Sequence, residues 1–296
     1  MSRFSIKNLE QLSGIKAHTI RIWEQRYGII EPRRTKTNIR YYDNDALRRL
    51  LNVAFLNKHG IKISKISKLT DEEIAGAIDE ITEDPTLYDD QIQALILSMM
   101  DMDEAHFEYI INQVTNKLGF ENCMLNVLFP FLTRIGILWQ TGSINPAQEH
   151  FISNLIRQKI IVAIDQIPVN KTDDGMKFLL FLPEGELHEL SLLFSDLIIK
   201  KRNFKSVYLG QSLPLSDLGI VYRYHQPSHI LTVITSNPGP SDVQKYLKQL
   251  SDIAPNAKII VSGQRVVGQD LNLPQNTQII VKPQDLIAIL ESDGKR

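Results

Sequence analysis

Cysteine is nearly absent: Cys123 is the only one in 296 residues. One thiol excludes an intrachain disulfide and any metal site built from paired thiolates, and it makes a reducing cytoplasm the expected home. Long apolar runs are missing too. No stretch approaches the ~20 apolar residues of a membrane span, and the N-terminus lacks the apolar core of a secretory signal, so no membrane partner is expected. The sequence also lacks a glycine-rich phosphate loop and any recognisable nucleophile–base pair. No catalytic residue is assigned, and the chain is not expected to be an enzyme.

What is present is a strong charge asymmetry beneath a net charge of -1. Residues 1–70 carry 15 Lys/Arg against 5 Asp/Glu, and the remainder 18 against 29. A basic head on an acidic body is expected when only the head meets a polyphosphate such as double-stranded DNA. The acidic body then discourages non-specific DNA contact elsewhere. The length suits two domains or three small ones.

The head is organised around Gly14–Tyr42. Ile6, Leu9, Leu12 and Ile15 recur at helical spacing, and Gly14 suits a tight turn. A second helix carries His18, Thr19, Arg21, Trp23, Glu24 and Arg26, and Pro32 ends the segment. Arg33, Arg34 and Lys36 fall in a polar loop before an extended Arg40-Tyr41-Tyr42. Helix, turn, helix and basic hairpin predict a winged helix-turn-helix, whose second helix enters the major groove while the wing grips phosphates. The run Thr19–Gly28 (TIRIWEQRYG), Pro32-Arg33 and Arg40-Tyr41-Tyr42 together resemble the DNA-binding domain of MerR-family regulators, over about the first 75 residues. The basic set with its neighbours (His18, Thr19, Arg21, Arg26, Arg33, Lys36, Arg40 and Tyr41) is assigned to operator DNA. Trp23 and Tyr27 are read as core, and Arg21 has the alternative of an ion pair with Glu24.

Asp43 is placed as the cap of a helix running to Gly60, and Ser64 as the cap of a short helix within Ile61–Leu69. Domain 1 therefore spans 1–75. Asp71–Asp84, with seven acidic residues in fourteen, reads as a helix tail and linker ending at Pro85. Residues 85–167 hold four helical segments (87–101, 103–118, 120–140 and 146–167) joined by short connections, which predicts a four-helix bundle. Met99, Met100 and Met102 are read as core packing. After Pro168, apolar runs at Phe178–Leu182, Ser206–Leu209, Ile230–Ile234, Ile259–Val261 and Ile279–Val281 alternate with helices near 187–202, 214–225, 241–253 and 283–292. This predicts a doubly wound, five-stranded parallel sheet (Rossmann-like) over 176–292. The fold class is multidomain, α and α/β. Ligands on such sheets sit at the carboxyl ends of strands, here the loops beginning at Pro183, Gly210, Ser236, Gly263 and Lys282.

Two motifs narrow the reading: Trp139, nine residues, then Glu149-His150; and Pro183–Ser191 (PEGELHELS) after the first strand of the sheet. Together they resemble the cobalamin-binding module of light-sensing MerR regulators of the CarH and LitR type, and the bundle-plus-α/β arrangement is similar to that of methionine synthase. The resemblance implies that His188 is the lower axial ligand of cobalt, with Glu186 fixing its tautomer. It implies further that Trp139 shields the upper ligand, with Glu149 and His150 lining its pocket. Ser191, Ser236 and Gly263 stand where backbone and loops receive the cofactor tail. The chain departs from the family at Glu186 (aspartate elsewhere), Ser191 (glycine), Thr235-Ser236-Asn237-Pro238 (Ser-x-Leu) and Ser262-Gly263 (Gly-Gly). Glu149-His150 also has the plain reading of an intrahelical polar pair. His59, His106, His225 and His229 show no metal-ligand spacing and are read as structural or surface residues.

The implied function is a DNA-binding regulator that senses cobalamin, with adenosylcobalamin and light as the family's signal. It would control a pseudo-palindromic operator through a homo-oligomer, dimer or tetramer. One alternative keeps the regulator and replaces the cofactor by a protein partner. Another, a corrinoid methyl carrier, is opposed by the complete basic head.

Overall fold

The computed structural model describes residues 3–35, 37–82, 88–140, 144–168 and 176–293, without the side chains of residues 79, 80, 82, 137–140 and 293. The chain forms two compact units, Met1–Leu155 and Ile156–Arg296.

In the first unit, α1 (Ile6–Ser13) is closed by reciprocal capping between Ser5 and Asn8, and it stops at Gly14, whose φ of 72° is left-handed. α2 (Ala17–Tyr27) stops in the same way at Gly28. Leu9, Leu12, Ile20 and Trp23 bury their side chains with Phe4, Ile29, Tyr42, Leu47, Leu50 and Leu51 as a small core. The wing is an antiparallel pair, β1 (Arg33–Arg34) and β2 (Arg40–Tyr41). Asp43 caps α3 (Asn44–Lys58), its side chain accepting from the Ala46 N–H at 3.0 Å.

Two expectations are corrected here. Ser64 caps nothing: α4 (Ile63–Ile66) starts after Lys62, and Ser64 sits inside its turn. The acidic segment is a helix in its own right, α5 (Asp71–Thr82). Thr70 and Glu73 cap it reciprocally, and Ile74 and Ile78 are buried. Three acidic side chains in its first turn favour the positive end of the helix dipole, so acidity here helps to start a helix.

The bundle follows with α6 (Tyr88–Asp101) and α7 (Glu104–Leu118). The third rod is α8 (Phe120–Cys123), a π-helical turn (Met124–Leu128) and α9 (Phe129–Gln140). The fourth is α10 (Pro146–Asp165), which begins in this unit and ends in the next. Phe107, Ile110, Ile111 and Val114 line the interior as their spacing requires. The methionine cluster divides. Met99 is buried, but Met102 is 47% exposed, because it turns the chain from α6 to α7 with a positive φ of 53°. Cys123 is buried, and burial pushes its thiol up to about 11, so it stays protonated.

The second unit is a five-stranded parallel sheet in the order β4-β3-β5-β6-β7. Its strands are β3 (Lys177–Pro183), β4 (Lys205–Leu213), β5 (His229–Val233), β6 (Lys258–Ser262) and β7 (Thr277–Ile279). α11 (Leu190–Lys201) and α14 (Pro283–Asp293) pack together, as do α12 (Leu215–His225) and α13 (Val243–Ile253). Leu179, Phe181, Ile230, Ile259 and Val261 meet Leu218, Leu247 and Leu250 in one apolar layer.

Three boundaries move. β4 continues through Gly210, with a register shift against β3, so its loop begins after Leu213. α11 starts at Leu190 because 187–189 form a loop, and β7 ends before Val281, which is exposed. Among the described residues no helix is long and apolar enough to cross a membrane.

Candidate functional site

Two surfaces concern function, one in each unit. On the head, burial of Ile20 and Trp23 turns the opposite face of α2 outward, exposing His18, Arg21, Ile22, Gln25 and Arg26. Thr19 is half-buried, with its hydroxyl 3.3 Å from the His18 ring. Arg26 lies over the ring of Tyr27, 5.5 Å from its centre. Glu24 turns to the wing rather than to Arg21: it approaches Arg40 at 3.4 Å and accepts from the Tyr42 hydroxyl at 2.8 Å. Wing and second helix are thereby joined. Burial and the Glu24 carboxylate both raise the Tyr42 phenol well above its usual range, so it remains a donor.

Along the wing, Arg33 pairs with Asp43 at 2.7 Å, and Arg34 donates to Asn38 at 2.8 Å. The Arg3 guanidinium covers the Tyr41 ring at 4.9 Å. Lys36 lies outside the described residues. Arg34, Ile22 and Gln25 were not assigned to DNA from the sequence, although a helical projection of α2 places the latter two on the exposed face.

In the α/β unit the central element is Glu186, fully buried in the loop after β3. One carboxylate oxygen sits 2.5 Å from His188 Nδ1 and accepts from the N–H groups of Leu187 (3.0 Å) and His188 (3.1 Å). The other accepts from the N–H groups of Thr235 (2.9 Å), Ser236 (2.6 Å) and Asn237 (3.1 Å). The Ser236 hydroxyl adds a contact of 3.2 Å to each oxygen. Burial alone would raise this carboxyl. The backbone donors and His188 outweigh it and bring Glu186 down to about 2.

With Nδ1 donating to the ionised Glu186, the neutral form of the His188 ring carries its lone pair on Nε2. The His188 side chain is 62% exposed. The Glu186 side chain thus grips the loops after β3 and β5 at once.

The neighbouring loops are tied in by the Gly185 N–H donating to Ser212 Oγ (3.0 Å), Gln211 Nε2 donating to the Leu187 carbonyl (2.9 Å) and Asn237 Nδ2 donating to the Gly185 carbonyl (2.8 Å). Ser191 is exposed at the start of α11, where its carbonyl accepts from Ser195. Gly263 serves a close backbone crossing: its φ is 108°, and a Cβ there would lie 2.3 Å from the Ile234 carbonyl oxygen. Only glycine fits.

Glu149 and His150 form a pair on α10, at 3.0 Å, with Ser153 donating to Glu149 at 2.5 Å. The Trp139 side chain lies outside the described residues. His229 is buried and stacked on Phe178 at 4.8 Å, and His59 approaches Asp90 at 3.0 Å. The sequence reading missed a second buried carboxylate, Glu189, which pairs with Arg157 and accepts from the Tyr208 hydroxyl at 3.1 Å. It also missed the use of backbone N–H groups as the clamp on Glu186.

Among the described residues no three His, Cys, Asp or Glu side chains converge as a metal-binding group. One exposed imidazole whose orientation is fixed by a buried carboxylate is a donor that could serve a metal-bearing cofactor such as a corrinoid.

Two family models match the chain, both largely within the first unit. Residues 4–73 match the MerR HTH family regulatory protein family, and residues 91–163 the B12 binding domain. The chain is 26% identical over 258 residues to the HTH-type transcriptional repressor CarH of Myxococcus xanthus, covering 85% of each. It is 24% identical over 221 residues to the repressor CarA of the same organism, covering 72% of this chain and 70% of that one. The monomethylamine corrinoid protein of Methanosarcina barkeri aligns with 73% of this chain and 96% of its own, at 12% identity and a TM-score of 0.47, too loosely to bear on function. With a match to a MerR helix-turn-helix family over residues 4–73 and to a B12 binding domain over residues 91–163, the chain has the make-up of a transcriptional regulator similar to CarH.

Proposed function

We propose that the regulator binds cobalamin, with His188 as the lower axial ligand, and that the bound cofactor governs operator binding through the oligomeric state. The observation that carries this reading is the Glu186–His188 pair: a buried, ionised carboxylate 2.5 Å from Nδ1 of an exposed imidazole. Glu186 holds the tautomer, the clamp on residues 235–237 holds Glu186, and Nε2 is left to the metal. When bound, cobalamin supplies a cobalt whose other axial position carries an organic group, and adenosylcobalamin is the form we propose. Trp139, Glu149 and His150 are assigned to that upper side, and Ser191, Ser236 and Gly263 to the tail side. The functional domains are 1–75, 85–167 and 176–292. The head binds double-stranded operator DNA as a two-fold dimer, through His18, Thr19, Arg21, Arg26, Arg33, Lys36, Arg40 and Tyr41.

A second reading, control by a protein partner, draws on α12, where Tyr224 is 84% exposed one turn from exposed Ile220. One experiment separates the two. The full chain is incubated with adenosylcobalamin in the dark, gel-filtered, and its absorption spectrum recorded. Co-elution of the chromophore with the wild type, and its loss in His188→Ala, is the expected result. An unchanged spectrum and affinity in His188→Ala would remove His188 from the cobalt. A colourless wild type that still binds operator would leave the partner reading. Illumination of the loaded protein, followed by a second gel filtration, reports whether light changes the oligomer.

A further inference from the structure

We infer that Ile22 reads thymine in the major groove, through the C5-methyl group of one A·T pair in each half-site. The inference rests on the head's being a DNA-binding domain and names the base that one of its residues recognises.

α2 exposes five large side chains, and four of them are polar or basic: His18, Arg21, Gln25 and Arg26. Ile22 is the fifth, and it is 49% exposed. It stands on the outward face between Arg26 and His18, four residues after His18, three before Gln25 and four before Arg26. The side of the helix that carries Ile20 and Trp23 is sealed in the core, so Ile22 has no route inward.

A single exposed aliphatic is unremarkable on a general surface. Here it lies within the face that a helix-turn-helix presents to base edges, flanked by His18, Gln25 and Arg26. Arg21 and Arg26 mark the two edges of that face, the positions from which phosphates at a groove rim can be met. The floor of the major groove offers one apolar group, the thymine methyl, and a branched aliphatic side chain is complementary to it. Gln25, one turn along the same stripe, has the amide geometry that pairs with adenine N6 and N7. The pairing predicts a half-site in which Ile22 and Gln25 meet the same or adjacent A·T pairs.

The test uses the full chain. Operator duplexes are selected from a random library, and each thymine of the selected sequence is replaced singly by deoxyuridine, which lacks only the methyl group. Binding is followed by fluorescence anisotropy. One buried methyl group is worth about a fourfold change in affinity. Deoxyuridine at one thymine per half-site is expected to weaken the wild type by about that factor per contact. Ile22→Ala should bind the thymine operator with the same loss and be indifferent to deoxyuridine at that position, while Ile22→Val retains most of the discrimination. Ile22 is on the surface, so both variants should melt with the wild type. A wild type indifferent to deoxyuridine everywhere, or an Ile22→Ala protein that still pays the full deoxyuridine penalty, overturns the inference. Failure to select any duplex takes down the DNA-binding reading of the head along with it.

Discussion

The two functional surfaces are built on opposite principles. On the head, the working side chains stand in solvent on a small core, and their ion pairs are partly exposed, as Arg40–Glu24 and Arg33–Asp43 are. Such pairs hold a geometry weakly and can be exchanged for phosphate at little cost. At the strand ends of the α/β unit, one exposed imidazole is held by a carboxylate with no exposure, filled by donors from two loops. A polyanion is met by many replaceable charges. A metal ligand, the role proposed for His188, would need one side chain in one tautomer, which a buried and saturated support provides.

The sharpest way to break that contrast is Glu186→Ala. Five backbone N–H groups and one imidazole lose their acceptor, and the α/β unit should lose about 3–5 kcal/mol in urea unfolding. A loss under 1 kcal/mol would mean that the clamp is not structural. The pH dependence comes next. A carboxyl depressed to about 2 from 4.5 contributes stability that is fully present above about pH 5 and is lost as the pH falls toward 2. The contribution is on the order of 3 kcal/mol. Urea midpoints measured across that window should fall for the wild type and fall less steeply for Glu186→Gln. Equal slopes would show that other groups govern the acid transition.

Gly263→Ala is expected to cost about 2 kcal/mol or more, since the new Cβ meets the Ile234 carbonyl and the backbone is left-handed. Thermal melting reads it, and an unchanged midpoint would show that the crossing can open. On the head the effects should be smaller and of another kind. Arg40→Ala should weaken operator binding roughly fivefold and reduce the slope of log K against log salt by about 1. Its melting temperature should barely move; a large drop would make Arg40 a structural residue held by Glu24. The smallest effect should be Asp43→Ala, which removes the α3 cap and the partner of Arg33 and costs about 1 kcal/mol by thermal melting.

Much of this was legible in the chain. The head was readable because its signals are local: a turn glycine at Gly14, a cap at Asp43, charged residues around a wing. The four bundle segments and the five strands were readable for a related reason. Apolar periodicity reports burial directly, and here each apolar run lies within a strand or overlaps one. The misplaced elements are those whose fate depends on something distant. Met102 looks like a third core methionine, yet its backbone must reverse between α6 and α7. The acidic stretch after residue 70 has a linker's composition, yet Thr70–Glu73 capping and two buried isoleucines make it α5. Gly210 resembles the start of a loop but lies within β4, because pairing with β3 carries the strand to Leu213.

The site divides along the same line. Residue types and spacing by themselves determined the modular order, the basic head, and the placing of Glu186 and His188 in one loop at a strand end. Only the tertiary structure decided what Glu186 does there. Its partners at 235–237 lie about fifty residues away, and they are backbone N–H groups that every residue but proline possesses, so no pattern of side chains announces them. Local periodicity is written in the chain because it follows from bonded geometry; the saturation of a buried carboxylate is not, because it depends on which loops the sheet order makes neighbours.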